Sequence, residues 1–231
     1  MTITVGTFNT RHGRPPRGLA RLDVLAKQCA VLDADVLGLQ ELDRRVIRSY
    51  FVDQPKSLGR RLGMQAAWAP ARRPILVGYE GNALLARGAL SDVSIVELPR
   101  SPERYTRVAM MARVELGGPE TAGARLSVAV THLQNHRPEA AAQLPVLLER
   151  FGGYPEPRVL LGDLNLTRDE AAPVLEAAGY EVADAGPTSP AHAPYQQIDF
   201  VAVRGLAVSR ARVLPTIVSD HRPLVVDLRQ P

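Results

Sequence analysis

Cysteine is almost missing from this chain: Cys29 is the only one in 231 residues. That excludes an internal disulfide framework and any zinc or iron–sulfur site built from cysteines. Long apolar runs are missing too. None approaches the roughly 20 residues that cross a bilayer, and the opening Met1-Thr2-Ile3-Thr4-Val5 has neither the basic nor the apolar segment of a secretory leader. No membrane span is therefore expected, and the expected location is cytoplasmic. Lysine is scarce, with only Lys27 and Lys56 among 28 basic residues. Arginine suits bidentate phosphate contact, but in an alanine-rich chain its excess is first a mark of a GC-rich gene. No linker, low-complexity stretch or solenoid-period repeat interrupts the sequence.

What is present is an ordinary globular composition, 45% hydrophobic and 23% charged. The formal net charge of +4 and pI near 9.6 suit a phosphate-bearing partner but fall short of a protein that coats nucleic acid. The length allows one large domain or two small ones. With no boundary in view, residues 1–231 read as one domain.

Thr2 to Asn9 alternates as a strand, Arg11 to Pro16 breaks it, Leu19 to Leu32 carries a helical stripe, and Val36 to Gln40 is a short buried strand. That is β-α-β. A helix over Gln54 to Leu62 follows, then strands over Gln65 to Ala69, Gly81 to Ala86, Asp92 to Leu98, Thr106 to Leu116 and Arg125 to Thr131. Pro138 opens a helix through Arg150. Arg158 to Gly162 is a strand, Thr167 to Glu170 has the form of a capping box for a helix to Ala178, and three strands close the chain: Gln197 to Val203, Leu206 to Leu214 and Leu224 to Leu228. The fold class is α/β.

The informative feature is positional. Asn9, Gln40-Glu41, His132, Asp163 with Asn165, and Asp220-His221 all lie at or beside strand ends, the rims where α/β proteins bind ligands. One such residue is ordinarily a turn former or a helix cap. Several, of different chemistry, point to a site. Glu41, Asp163 and Asp220 offer the oxygen ligands that Mg²⁺ prefers. His132 or His221 can stabilise charge on a phosphoryl oxygen or protonate a leaving group, and Asn9 and Asn165 can contact phosphate or orient water without adding charge. Together these types describe metal-assisted phosphoryl hydrolysis.

Competing chemistries lack their motifs. There is no G-x-S-x-G elbow and no phosphate-binding G-x-x-x-x-G-K-[ST] loop, and the consecutive Ser219-Asp220-His221 cannot aim at one another as a triad. His132 and His136 have helical spacing for zinc, but a strand end separates them. His12 and His136 are expected to be solvated loop residues, and the clusters Arg44-Arg45-Arg48 and Arg60-Arg61 to be solvated faces rather than a nucleic-acid track.

Taken in order, Thr7-Phe8-Asn9, Leu39-Gln40-Glu41, Gly81-Asn82-Ala83-Leu84-Leu85, Thr131-His132-Leu133, Gly162-Asp163-Leu164-Asn165, Ile198-Asp199-Phe200-Val201 and Ser219-Asp220-His221-Arg222-Pro223-Leu224 resemble the endonuclease/exonuclease/phosphatase superfamily across nearly the whole chain. The resemblance implies a four-layer α/β/β/α sandwich, two packed mixed β-sheets flanked by helices, and phosphoester cleavage dependent on Mg²⁺ or Mn²⁺. It implies Glu41 as principal metal ligand, with Asn9 contacting metal or phosphate and Asp220 as a further metal ligand. Asp163 then activates the attacking water, Asn165 positions it, and His221, oriented by Asp199, stabilises the pentacovalent phosphorus. His132 is a phosphate contact or acid, and Asn82 binds substrate phosphate. Arg107 has two readings, a phosphate contact or a surface arginine at a strand start. The chain departs from the pattern at Leu164, where an aromatic is common and a packing change is expected, and at Gln197, which replaces a frequent arginine and with it a phosphate contact.

Such a resemblance speaks to reaction type better than to substrate. The length leaves no room for the long inserted loops of larger members. Basic charge and arginine-rich loops favour a nuclease acting on DNA or another phosphodiester. A phosphomonoesterase acting on a small molecule, an inositol phosphate or a lipid head group is the alternative, and a catalytically inactive binding module a further one, although every core motif position is filled.

Overall fold

Alternating apolar residues lay down two six-stranded sheets, and the computed structural model describes them through residues 1–15, 17–73 and 77–230. Pro16, within the expected break after the first strand, lies outside the described residues. The elements are β1 (Thr2–Asn9), α1 (Leu22–Val31), β2 (Val36–Arg44), α2 (Gln54–Leu62), β3 (Gln65–Arg72), β4 (Tyr79–Ala86), β5 (Gly88–Glu97), β6 (Val108–Leu116), β7 (Arg125–His132), α3 (Arg137–Gly152), β8 (Arg158–Asp163), α4 (Arg168–Ala177), β9 (Glu181–Val182), β10 (Asp199–Arg204), β11 (Ala207–Val213) and β12 (Leu224–Arg229).

The first sheet has the order β11-β12-β1-β2-β4-β3 and the second β5-β6-β7-β8-β10-β9. Each is mixed, because β1–β2 and β7–β8 pair in parallel and the other neighbours antiparallel. Side chains alternate between faces except at the bulges. Ile3, Val5, Leu84, Val128, Val130, Val159, Leu161 and Val201 meet between the sheets. Phe8, Leu37, Leu39 and Leu85 face outward onto Leu25 and Cys29 of α1 and Leu58 of α2. Leu160 and Phe200 face outward onto Leu144, Leu147 and Phe151 of α3 and Leu175 of α4. Helices therefore close both outer faces, and the four layers expected from the sequence are present.

Local signals set the helix ends. Asp53 accepts a hydrogen bond from the Lys56 amide to cap α2, and Gly63, at φ 66°, ends it in the left-handed region that glycine enters without strain. The Thr167 amide donates to the Glu170 carboxylate at 2.7 Å, one arm of the capping box that starts α4. Several expectations need correction. The first helix starts at Leu22 rather than Leu19, since the Arg21 amide bonds back to the Gly13 carbonyl and the chain before it is not helical. The second strand continues past Gln40 to Arg44 through a bulge between Leu39 and Leu42. The fifth strand starts at Gly88 rather than Asp92, because Gly88 to Ser91 pair with Leu116 to Arg113 ahead of a register shift, and the two-residue β9 is too short to show a period. The residues Arg11–Gly13, read as a plain break, form a 3-10 turn.

Close approach of the sheets decides where the rims meet. A Cβ on Gly38 of β2 would lie 2.8 Å from the Leu161 Cβ of β8, so only glycine lets these two strands pack so tightly. The ends of β1 and β2 are thereby brought to the ends of β7, β8 and β10.

Candidate active site

Three strand ends set the floor of the cleft. His132 is the parallel register partner of Asp163, and Asp163 is the antiparallel partner of Asp199. Each shares its face with inward apolar residues of its own strand: Val128 and Val130, Val159 and Leu161, Val201 and Val203. The three polar side chains thus continue the apolar interior to the rim, where they are 5%, 1% and 0% exposed. Asn9 does the same on β1, two positions beyond Thr7, and crosses to the other sheet.

The Asn9 amide Nδ2 donates to Asp163 Oδ2 at 2.9 Å and to Glu41 Oε1 at 3.3 Å. Asp163 Oδ1 accepts the Asn165 backbone amide at 3.0 Å, and the Asn165 side chain donates to the Leu133 carbonyl at 3.0 Å. His221 donates from Nδ1 to Asp199 Oδ2 at 2.9 Å and lies 3.7 Å from Asp163 Oδ2. His132 Nε2 is 3.4 Å from that same oxygen. The Ser219 hydroxyl, donating to the Asn9 carbonyl at 2.6 Å and accepting from the His221 amide at 3.1 Å, ties the His221 loop to β1.

Glu41 reaches the cleft by a backbone device. Simple alternation from Leu37 and Leu39 would turn it toward the helices; instead the bulge inserts a residue, Leu42 takes the outward place, and Glu41 adopts φ 54°. Bulges re-aim side chains at sites in this way. A non-glycine residue in that region costs on the order of 1–2 kcal/mol. Asn165 is also left-handed, at φ 51°, but asparagine tolerates this better.

Burial and charge separate the protonation states. Burial, with Glu80 and Asp163 nearby, pushes the Glu41 carboxyl up to about 7 against the Asn9 hydrogen bond and Arg107. Burial also lifts Asp163, to about 6, against the neighbouring His221. Burial opposes charge on His221, yet Asp199 and Asp163 outweigh it and hold its pKa at about 10. His132 goes the other way, lowered well below the usual histidine value by burial and by Arg107. One histidine is a cation at neutral pH and the other is neutral.

Arg107 is 9% exposed, so the surface reading does not hold. The carboxylates of Glu41, Asp163 and Glu80 favour its charge while burial opposes it, and its Nε has no partner. Asn82 is buried beside the bulge on β4, with one amide hydrogen donated to the Val108 carbonyl at 3.2 Å. Asp220 stands apart: half-exposed, it pairs with Arg11 at 3.6 Å rather than with the buried carboxylates. Gln197 is buried and donates to the Ala183 carbonyl at 3.2 Å, and Leu164 is packed in the core beneath α3 and α4.

Two expectations fail here. His12 is not solvated: it is 6% exposed, because the turn after β1 folds it under the bulge, where Nδ1 lies 2.9 Å from the Glu41 carbonyl. Arg48 is not a solvated face either. It donates to Asp43 at 2.7 and 2.9 Å and to Glu80 at 2.5 Å, while Arg72 donates to Glu80 at 2.5 and 2.8 Å. Glu80 shares the inward face of β4 with Asn82 and Leu84, a spacing of two that would have found it. No comparable signal marks His12, whose partners are 29 to 68 positions away.

The donor set around Glu41 suits a hard divalent cation. The carboxylates of Glu41 and Asp163 converge about the Asn9 side chain, whose Nδ2 bridges them and whose Oδ1 accepts the Arg11 amide at 3.2 Å, and hard oxygens of this kind are what such an ion prefers. Among the described residues two other groups gather ligand-type atoms, His12–Asp43–Glu80 and Asp163–Asp199–His221. In the first, Arg48 and Arg72 occupy the carboxylates; in the second, His221 supplies the counter-charge. Neither leaves a carboxylate set for an ion.

Residues 6–221 match the Endonuclease/Exonuclease/phosphatase family. No curated protein gives a significant match to the chain. The fold is similar to that of an endonuclease/exonuclease/phosphatase from Beutenbergia cavernae DSM 12333, at TM-score 0.82 and 22% identity over 99% of this chain and 72% of that one. It is also similar to the human Nocturnin catalytic domain with bound sulfate, at TM-score 0.71 and 22% identity over 100% and 94% of the two chains. A Bacteroides thetaiotaomicron mannosyl-6-phosphatase aligns at TM-score 0.76 and 16% identity over 98% and 99%. No helix among the described residues is long and apolar enough to cross a membrane.

Proposed function

Because the chain belongs to the endonuclease/exonuclease/phosphatase family, whose members hydrolyse phosphoesters, we propose that it cleaves phosphodiester bonds with Mg²⁺ or Mn²⁺, nucleic acid being the expected substrate. The observation that carries this reading is the juxtaposition of a carboxyl lifted to about 6 at Asp163 with an imidazolium held to about 10 at His221, their atoms 3.7 Å apart. Groups whose pKa values are pushed apart in one place are suited to accept and to hold a proton in the same reaction.

In this reading Asp163 takes a proton from a water that Asn165 orients, the water oxygen bonds to phosphorus in line with the leaving oxygen, and the P–O bond opposite breaks to release an alkoxide that takes its proton from solvent. As negative charge builds on the phosphoryl oxygens, the His221 imidazolium, fixed through Nδ1 by Asp199, and the Arg107 guanidinium stabilise it. His132, neutral because it is buried, contacts phosphate as an N–H donor rather than as an acid. Asn82 offers its remaining amide hydrogen. Glu41 and Asn9 would hold Mg²⁺ or Mn²⁺, while Asp220 stays with Arg11 at the rim. When bound, the ion supplies positive charge against the phosphoryl oxygens.

Charge favours a diester over a monoester. Near neutral pH a phosphomonoester carries about −1.5 to −2, whereas a diester carries a single charge. Glu80 is paired with Arg48 and Arg72 and Asp199 with His221, which leaves the carboxyls of Glu41 and Asp163 to repel the second charge of a monoester. The test is turnover with added Mg²⁺ of linear DNA, nicked plasmid, RNA, an inositol phosphate and bis(p-nitrophenyl) phosphate against its monoester. Diester cleavage that chelator abolishes is expected; preference for the monoester would overturn the substrate assignment.

A further inference from the structure

The buried imidazole of His12 lies outside every role assigned so far, and it touches the residue on which the metal reading depends. It sits in a 3-10 turn, itself left-handed at φ 58°, directly under the bulge of β2. Its Nδ1 is 2.9 Å from the Glu41 carbonyl and 3.4 Å from Asp43 Oδ1. Facing two acceptors, Nδ1 carries the ring proton and donates it to the carbonyl. Arg48 Nη2, 3.2 Å from the same nitrogen, has Asp43 and Glu80 to serve instead. The ring's far edge stops 3.6 Å from Glu41 Oε2, in contact but too long for a hydrogen bond. The His12 carbonyl is clamped in turn by the Gln54 side chain at 2.8 Å, and Gln54 also accepts the Asp43 amide at 2.9 Å. The imidazole is thus fixed from both sides of the bulge.

Resting on the metal-dependent reading above, we propose that His12 is a positioning residue: its Nδ1–H holds the Glu41 carbonyl, and so the left-handed backbone that turns the Glu41 carboxylate from the helix face into the cleft. Without that bond the carbonyl keeps only the longer hydrogen bond from the Thr10 hydroxyl, at 3.3 Å, and the strained φ is relieved by letting Glu41 relax toward the outward direction that alternation prescribes. Ligands held by such supporting contacts typically lose on the order of 10- to 100-fold in metal affinity when the support is removed.

The side chain can be dissected because its backbone conformation limits the choice of variants. His12→Gly removes the ring without left-handed strain. His12→Asn tolerates φ 58° and places an amide N–H where Nδ1 was, since both atoms are two bonds from Cβ. His12→Gln reaches only the position of Nε2. Mn²⁺ binding to each folded protein is measured by loss of the free-ion electron paramagnetic resonance signal, with circular dichroism confirming the fold. The expected result is a dissociation constant weakened on the order of 10- to 100-fold in His12→Gly, largely recovered in His12→Asn and not in His12→Gln. Unchanged binding in His12→Gly overturns the proposal, as does recovery by glutamine or failure of asparagine to recover. If His12→Gly does not fold, the asparagine and glutamine variants decide, and equal affinities overturn it. If the natural chain itself binds no Mn²⁺, the metal reading fails first and the positioning role falls with it; weak variants beside a tight natural chain leave that reading standing.

Discussion

Asp163 and Asp199 stand directly opposite each other on adjacent antiparallel strands, a like-charge cross-strand pair that would ordinarily destabilise a sheet. His221 resolves it by placing Nδ1 2.9 Å from Asp199 and 3.7 Å from Asp163. The interaction that makes the strand ends compatible is therefore the one that keeps the histidine charged.

If His221 and Asp199 act as a unit, their losses will not add. His221→Ala is expected to lower kcat by on the order of 10²-fold or more. Asp199→Asn, which leaves an amide facing the Nδ1–H, should fall nearly as far while metal affinity is kept. The double variant should be scarcely worse than His221→Ala. Saturating-Mg²⁺ kinetics on the three proteins measures this, and strict additivity would count against the pair.

The metal-free protein should become less stable as pH rises from about 6.5 to 9, above the range in which the lowered histidines His132 and His12 gain stability with pH. Glu41 and Asp163 keep protons in the folded state to about 7 and about 6, above their usual 4.5 and 3.8. His221 keeps its proton to about 10, above 6.5. In each case the folded state binds more protons than the unfolded one, so stability falls with pH. The carboxyl contribution is lost between about pH 4 and 7 and the histidine contribution between about pH 6.5 and 10. Unfolding temperatures in chelator across this range give the slope, which should be smaller in Glu41→Gln below pH 7. A midpoint that climbs steadily from about pH 6.5 to 9 would contradict the assignment.

Arg107 should contribute more than charge. Arg107→Lys keeps the cation but loses the planar fork, and Arg107→Ala loses both. Activity is expected to fall in that order, with the alanine variant down by on the order of 10²-fold. Steady-state kinetics on a diester substrate distinguishes this from a packing role, in which both variants would lose stability and retain kcat.

Gly38→Ala tests the close approach of the sheets. The added Cβ would meet Leu161 at 2.8 Å, an overpacking that typically costs about 1–3 kcal/mol. At about 2–4 °C per kcal/mol for a chain of this size, the unfolding temperature should drop by several degrees. Because the same separation pulls Asn9 from Asp163, kcat should fall as well. A thermally neutral variant would show that the strands can part freely.

Much of the site was legible in the order of residues. The strands followed period-two alternation, and Asn9, His132, Asp163 and Asp199 each continue the parity of the inward apolar residues on their own strand. Residue type alone marked hydrolytic chemistry, and helix limits such as Gln54–Leu62 followed from local caps. These are short-range properties, set by sterics and hydrogen bonds within a few residues, so they can be read along the chain.

Glu41 shows where that reading ends. Its parity points to the helices, and only pairing with β4 across the bulge turns it into the cleft. His12 and Arg48 looked like solvent-facing residues in a polar turn and an arginine-rich loop, yet both are built into the support beneath Glu41. What the sequence determined by itself was which faces are apolar, where strands end and which chemistry stands at those ends. Which ends meet, which way Glu41 turns, and why one histidine is charged while its neighbour is neutral were decided by the tertiary structure. Burial and electrostatic environment are sums over groups far apart in the chain, such as Asn9 and Asp163, 154 positions apart, and they acquire values only when the two sheets close on each other.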